Sequence, residues 1–176
     1  MTANTWQSAT QGVAYGASKH MLDVHNASTS ARAIRIYRAY LFNNGTAAIT
    51  GVLNTARINT LNSTASGGTA VTPIAMALAN SALDAATTSG FNRTLTVEAI
   101  LRQVLHSPDE PVVTTLDWDS MGCLVPFAEW WNAGYGDTTI QPVTLAASAN
   151  RGFSIQSITQ TVGSADLEIM FTDAAS

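Results

Sequence analysis

The stretch ARAIRIYRAYLFNNGTAAITGVLNTARI, residues 31–58, decides the fold. Its first half is dense in Ile, Tyr and Phe, side chains that suit a pleated, half-buried surface. Alternation puts Ile34, Ile36, Arg38, Tyr40 and Phe42 on one face and Arg35, Tyr37, Ala39 and Leu41 on the other. Extended, Arg32 to Phe42 would span about 36 Å at roughly 3.3 Å per residue, which is a long strand. Asn43-Asn44-Gly45 follows, and Asn and Gly readily adopt the positive φ of a tight hairpin. TAAITGVLNTARI then returns as a second strand, with Gly51 a candidate bulge.

The same period of two recurs on either side. In HMLDVH, Leu22 and Val24 alternate with Met21, Asp23 and His25. Towards the C-terminus QPVTLAA, RGFSIQSI and ADLEIMFT read as strands, the last setting Leu167, Ile169 and Phe171 against Asp166, Glu168 and Met170. TLTVEAILRQVLH, residues 94–106, fits two patterns. Val97, Ile100, Leu101, Val104 and Leu105 have helical spacing, whereas Leu95, Val97, Ala99 and Leu101 alternate strictly. Its strand-rich surroundings favour a strand. Repeated short strands, turn signals and no regular βα alternation predict an all-β antiparallel sandwich, jelly-roll-like, over residues 19–176. Residues 1–18 are polar and aperiodic. They read as an N-terminal arm in which Trp6 could grip a neighbouring subunit.

A chain of 176 residues suits one domain, with 46% hydrophobic residues to build its core. The charged fraction is 11%, against about 25% in ordinary soluble domains. Disorder does not explain so few charges, because disordered chains also lack apolar residues. Nor does a membrane span: Val71 to Leu83 is too short and is broken by Thr72, Pro73, Asn80 and Ser81. What remains is a neutral Ala/Ser/Thr/Asn surface, suited either to a protein covered by neighbours or to a surface protein outside the crowded cytosol. The net charge of −4 argues against nucleic acid, which needs clustered cations. Among the arginines, Arg32 and Arg38 share a strand face while Arg35 points away. The first residues carry neither a basic nor an apolar signal region, so no signal peptide is expected and the chain is expected to be made in the cytoplasm.

Little points to catalysis. There is no G-x-S-x-G, and Cys123, the single cysteine, has no reactive context. His20, Asp23 and His25 are the tightest metal-type cluster, but on a regular strand His20 points away from the other two. Asp117 and Asp119 open a calcium-like loop that fails at Met121 and Ala128. No cofactor and no metal are expected. The informative segment is MGCLVPFAEWWNAGYGD, residues 121–137, which gathers Phe127, Trp130, Trp131 and Tyr135. Either one tryptophan faces out, as an interface anchor or a platform for a sugar ring, or both close one end of the core. The candidate contact residues are therefore Trp6, Trp130, Trp131 and Tyr135.

Two runs, KHMLDVHNASTSARAIRIYRAYLFNNGTAAITGVLNTARI and PVTLAASANRGFSIQSITQTVGSADLEIMFT, resemble accessory virion proteins of tailed bacteriophages. The likeness lies in low charge, Thr/Ala/Ser-rich strands, an early long strand and the final GSADLEIMF. It covers about half the chain and contains no diagnostic motif. It implies a β-sandwich that decorates or cements a capsid, commonly as a trimer, with a major capsid protein as partner and the capsid surface as its place. The rival expectation is a receptor- or carbohydrate-binding module with a glycan as ligand.

Overall fold

The computed structural model describes residues 4–44, 54–76, 82–106, 127–132, 141–159 and 162–175. All the regular structure among them is β. The strands are β1 (Asn4–Ala14), β2 (Lys19–Asn26), β3 (Arg32–Asn44), β4 (Asn54–Leu61), β5 (Thr69–Val71), β6 (Ile74–Ala75), β7 (Thr87–Phe91), β8 (Val97–His106), β9 (Phe127–Asn132), β10 (Val143–Leu145), β11 (Arg151–Ser157) and β12 (Ser164–Ala175). They form two antiparallel sheets packed on each other. Sheet A runs β10-β3-β12-β1-β6, with β9 also on β3; sheet B runs β5-β7-β2-β11-β4-β8. The long early strand and the final strand pair along twelve positions, Arg32 with Ala175 through Asn44 with Ser164.

The core lies between the sheets. Leu22, Val24, Ile34, Ile36, Leu167, Ile169 and Phe171, which share a phase in the sequence, are all buried there. Phe153, Ile155 and Ile58 complete the sheet B side. Residues 94–106 are strand from Val97 onward, as the surroundings predicted.

Three readings change. Residues 4–14 of the expected arm form β1, an inner strand between β12 and β6. Trp6 is 7% exposed, and its Nε1 donates to Asp173 Oδ1 at 3.2 Å. Its side chain packs in the core of its own chain. In β3, Ile34 and Ile36 face inward, but so do Ala39 and Leu41. A bulge at Tyr37, opposite Met170/Phe171, shifts the phase by one, so the single alternation read from sequence holds only to Ile36. The bulge also brings Arg35 and Arg38 both to solvent, while Arg32 is tied to Asp173 at 2.7 Å.

Third, a bulge in β2 opposite Ile155/Gln156 turns His20 to the face of Asp23 and His25. There His20 Nδ1 lies 2.9 Å from Ser154 Oγ, and Ser154 stands opposite Asp23. The expected split of this trio is corrected by the same physical cause: one unpaired residue inverts every facing beyond it.

Candidate binding surfaces

Of the four candidate contact residues, Trp6 is placed in the core, as above. Trp130 and Trp131 lie on β9, where Trp131 is opposite Ala39 and Trp130 falls at a register shift; their side chains are outside the described residues. Tyr135, Cys123, Asp117 and Asp119 also lie outside the described residues. Of the four, only the Trp6 side chain lies among the described residues.

Sheet B carries a buried polar layer on the face away from the core. Asp23 and His25 are almost fully buried, and His20 and Gln156 nearly so. Segments after β4 and β7 cover them. The Ser63 carbonyl lies 2.7 Å from His25 Nε2. Arg93 reaches Asp23 Oδ1 at 3.3 Å and also donates to Thr88 Oγ1 and to the Ser89 carbonyl. Asn59 Nδ2 donates to Gln156 Oε1 at 2.9 Å. Burial pushes Asp23 up to about 7, with Arg93 pulling the other way, and pushes His20 down to about 4.

A serine beside a histidine suggests nucleophilic chemistry, which needs the base to accept a proton near neutral pH and the substrate to reach the hydroxyl. Neither condition holds here. His20 is kept neutral by desolvation, and Ser154 is fully buried. Among the described residues no group of three His, Cys, Asp or Glu comes together to hold a metal ion. This layer seats the covering segments on the sheet.

The outer face of sheet A is different, because described side chains on it reach solvent. Arg35 and Arg38 are exposed on it, and Tyr40 and Phe42 are half-buried with rings stacked at 6.1 Å and 19°. Arg38 donates to the Tyr40 hydroxyl at 3.4 Å. Tyr37, Arg38, Met170, Thr172 and Thr5 border a shallow hollow of about 300 Å³. Ile74 and Met76, beside it at the β6 edge, are 62% and 49% exposed.

The edge of sheet B is the second open surface. β8 pairs with β4 and, among the described residues, with no other strand. Its Ile100, Leu101 and Leu105 are 48%, 38% and 61% exposed. Gln103 accepts from Arg57 Nε and Glu98 from Arg151, both at 2.7 Å, so its polar side chains turn back onto the sheet while its apolar ones stand in water. An exposed apolar edge strand is a template for another chain unless it is covered. The helical-spacing ambiguity at residues 94–106 was the sequence's trace of this surface: a strand apolar on both faces blurs the period of two. No protein-family model matches the chain, and no match is found among curated proteins or solved structures.

Proposed function

We propose that this chain is a non-enzymatic structural protein of a virion surface, a decoration or cement protein that stabilises a capsid by protein–protein contacts. Its partners in this reading are copies of itself and a major capsid protein. The observation that carries it is the set of large apolar side chains left in water, Ile74, Met76, Ile100, Leu101 and Leu105, on a chain with only 11% charged residues. Ordinary soluble domains keep apart through charge. This one is built to be covered. The resemblance of its first and last strands to phage accessory proteins supports the choice of a capsid as the assembly.

The experiment is mass spectrometry of purified particles from the source, with binding of the purified chain to particles lacking it. High copy number and saturable binding are expected. A chain absent from particles that also ignores them would refute the reading. One observation favours a second reading: the stacked Tyr40–Phe42 pair beside Arg38 on an open sheet face could seat a sugar ring. Binding to a glycan array, lost in Tyr40→Ala but kept in Ile100→Ser, would replace the first reading with this one.

A further inference from the structure

The chain's eight basic residues are not used alike. Lys19 donates to the Ala14 carbonyl, Arg32 to Asp173, Arg57 to Gln103, Arg93 to Asp23 and Arg151 to Glu98, and Arg102 has an interaction of its own. Arg35 and Arg38 remain. Both are exposed, and Arg35 has no hydrogen bond or ion pair to any described residue. Arg38 has the 3.4 Å contact with the Tyr40 hydroxyl, long for a hydrogen bond. We propose that these two arginines bind the carboxylate of an acidic sugar, whose ring lies in the hollow beside Arg38 on the outer face of sheet A. The inference rests on the second reading, in which this face seats a sugar, and names the charge that the sugar carries.

The β3 bulge makes the site. On a regular strand, residues three apart point to opposite faces. The extra residue at Tyr37 sets Arg35 and Arg38 on the same one. Two guanidinium groups brought together repel each other, and a carboxylate between them relieves that repulsion. Guanidinium and carboxylate also match in shape, through two parallel N–H···O bonds.

The walls of the hollow suit a sugar better than a bare anion. Thr172 stands opposite Arg35 on one side and Thr5 on the other. Thr5 and Thr172 share the border of the hollow with Tyr37, Met170 and Arg38, around a volume of about 300 Å³. That is the small end of ligand sites, room for one sugar unit. Tyr37 and Met170 offer apolar surface to the C–H face of a ring, and the threonines offer hydroxyls to its edge. One of those hydroxyls is spare: Thr172 Oγ1 is buried without a hydrogen-bond partner. A single χ1 step would exchange it with the methyl group and give it a new direction.

The same face disfavours a polyanion. Glu168 and Asp166 share the outward phase of Met170 along β12, opposite Tyr40 and Phe42. A polymer with a charge on every unit, laid along the strands, would meet these carboxylates. A ligand with one negative group keeps its charge at the arginine end.

The test titrates the full chain with D-glucuronate, D-galacturonate and N-acetylneuraminate, with glucose and galactose as neutral counterparts, and with inorganic phosphate. Binding is followed by NMR shifts of the β3 and β12 amides. At least one acidic sugar should bind with a Kd of about 1 mM, as a shallow site and a single ring imply. It should bind about tenfold or more tighter than either neutral sugar, because hydrogen bonds to charged groups are the stronger ones. Arg35→Gln and Arg38→Gln should each weaken it about fivefold or more. Arg57→Gln, whose partner is Gln103, should leave it unchanged. Circular dichroism checks that each variant keeps its β spectrum. Undiminished binding to the double variant Arg35→Gln/Arg38→Gln overturns the proposal. So does phosphate that binds as tightly as the best acidic sugar and competes with it, which would make the pair a general anion site. Neutral sugars that bind as well as acidic ones overturn the charge and leave the sugar reading standing. A chain that binds none of the sugars overturns both.

Discussion

Gly90 lies opposite Asp23 in the ladder between β2 and β7. A β-carbon there would meet the Arg93 guanidinium and, at 2.6 Å, the carbonyl oxygen of Thr69. The missing side chain is what lets Arg93 lie flat on the sheet and reach the buried carboxylate. Gly90→Ala should thus destabilise by about 1–3 kcal/mol, the usual cost of overpacking, read as a lower urea midpoint. The ionisable groups beneath Arg93 make a second prediction. Asp23 is raised to about 7 by burial, against Arg93, so the stability it contributes is full below about pH 4 and is lost as pH rises through 7. His20 is lowered to about 4, and burial also lowers His25. Their contribution is full above about pH 6.5 and is lost as pH falls towards 4. Between pH 4 and 6.5 the two slopes oppose. His20→Gln should make stability fall more steeply as pH rises, and Asp23→Asn should make it climb. Relative to the parent, each is expected to shift by on the order of 2 kcal/mol across that window. Parallel urea-midpoint profiles for parent and variants would show that these groups are solvated in solution.

At the scale of elements, β1 is the sharpest case. Its sequence, NTWQSATQGVA, has few apolar residues, because its inward positions include Ser8, whose hydroxyl bonds that of Ser89 across the two sheets. A strand whose core contacts are small and polar leaves no hydrophobic period to read, and so residues 4–14 look like an arm. Deleting residues 1–14 should accordingly abolish cooperative unfolding, since it strips β12 and β6 of a partner and removes Trp6 from the core. A truncated chain that melts like the parent would restore the arm. β2, β3 and β12 were legible in composition and phase, and their seven marked residues meet in one core. What one strand's sequence cannot carry is its register with a partner. The bulges at Met21/Leu22 and Tyr37 are set by where β11 and β12 pair, and each reversed the facing of everything beyond it. For that reason the sequence misplaced His20 and Arg38. The β8 edge was half legible: its strand character and its apolar residues on both faces were, but its place at the end of sheet B depends on sheet order, which no local pattern encodes.

Over the whole molecule the two sheets are used unequally. Among the described residues, sheet B has a polar outer layer sealed by covering segments, sheet A has Arg35 and Arg38 exposed on its outer face, and the large exposed apolar side chains, Val162 apart, lie at β6 and β8. A partner that covers such surfaces gains from dehydration of apolar groups far more than from ion pairing, because the chain offers only eight basic and twelve acidic residues over its whole length. In the proposed role, attachment to particles should therefore respond weakly to salt. Raising salt from about 50 to 500 mM screens exposed charges thoroughly, yet the affinity is expected to change less than threefold. Coating should also protect the shell by mass action. A ligand present at 100 times its Kd that binds only the intact state stabilises it by about 2.7 kcal/mol per site. The temperature at which stripped particles release their contents should consequently rise with added chain, slowly beyond saturation. Ile74→Ser with Met76→Ser, both on the surface, should reduce that rise without lowering the melting temperature of the isolated chain. Should the protection collapse in 500 mM salt while the serine variants protect as well as the parent, the contact is electrostatic and the apolar surfaces serve something else.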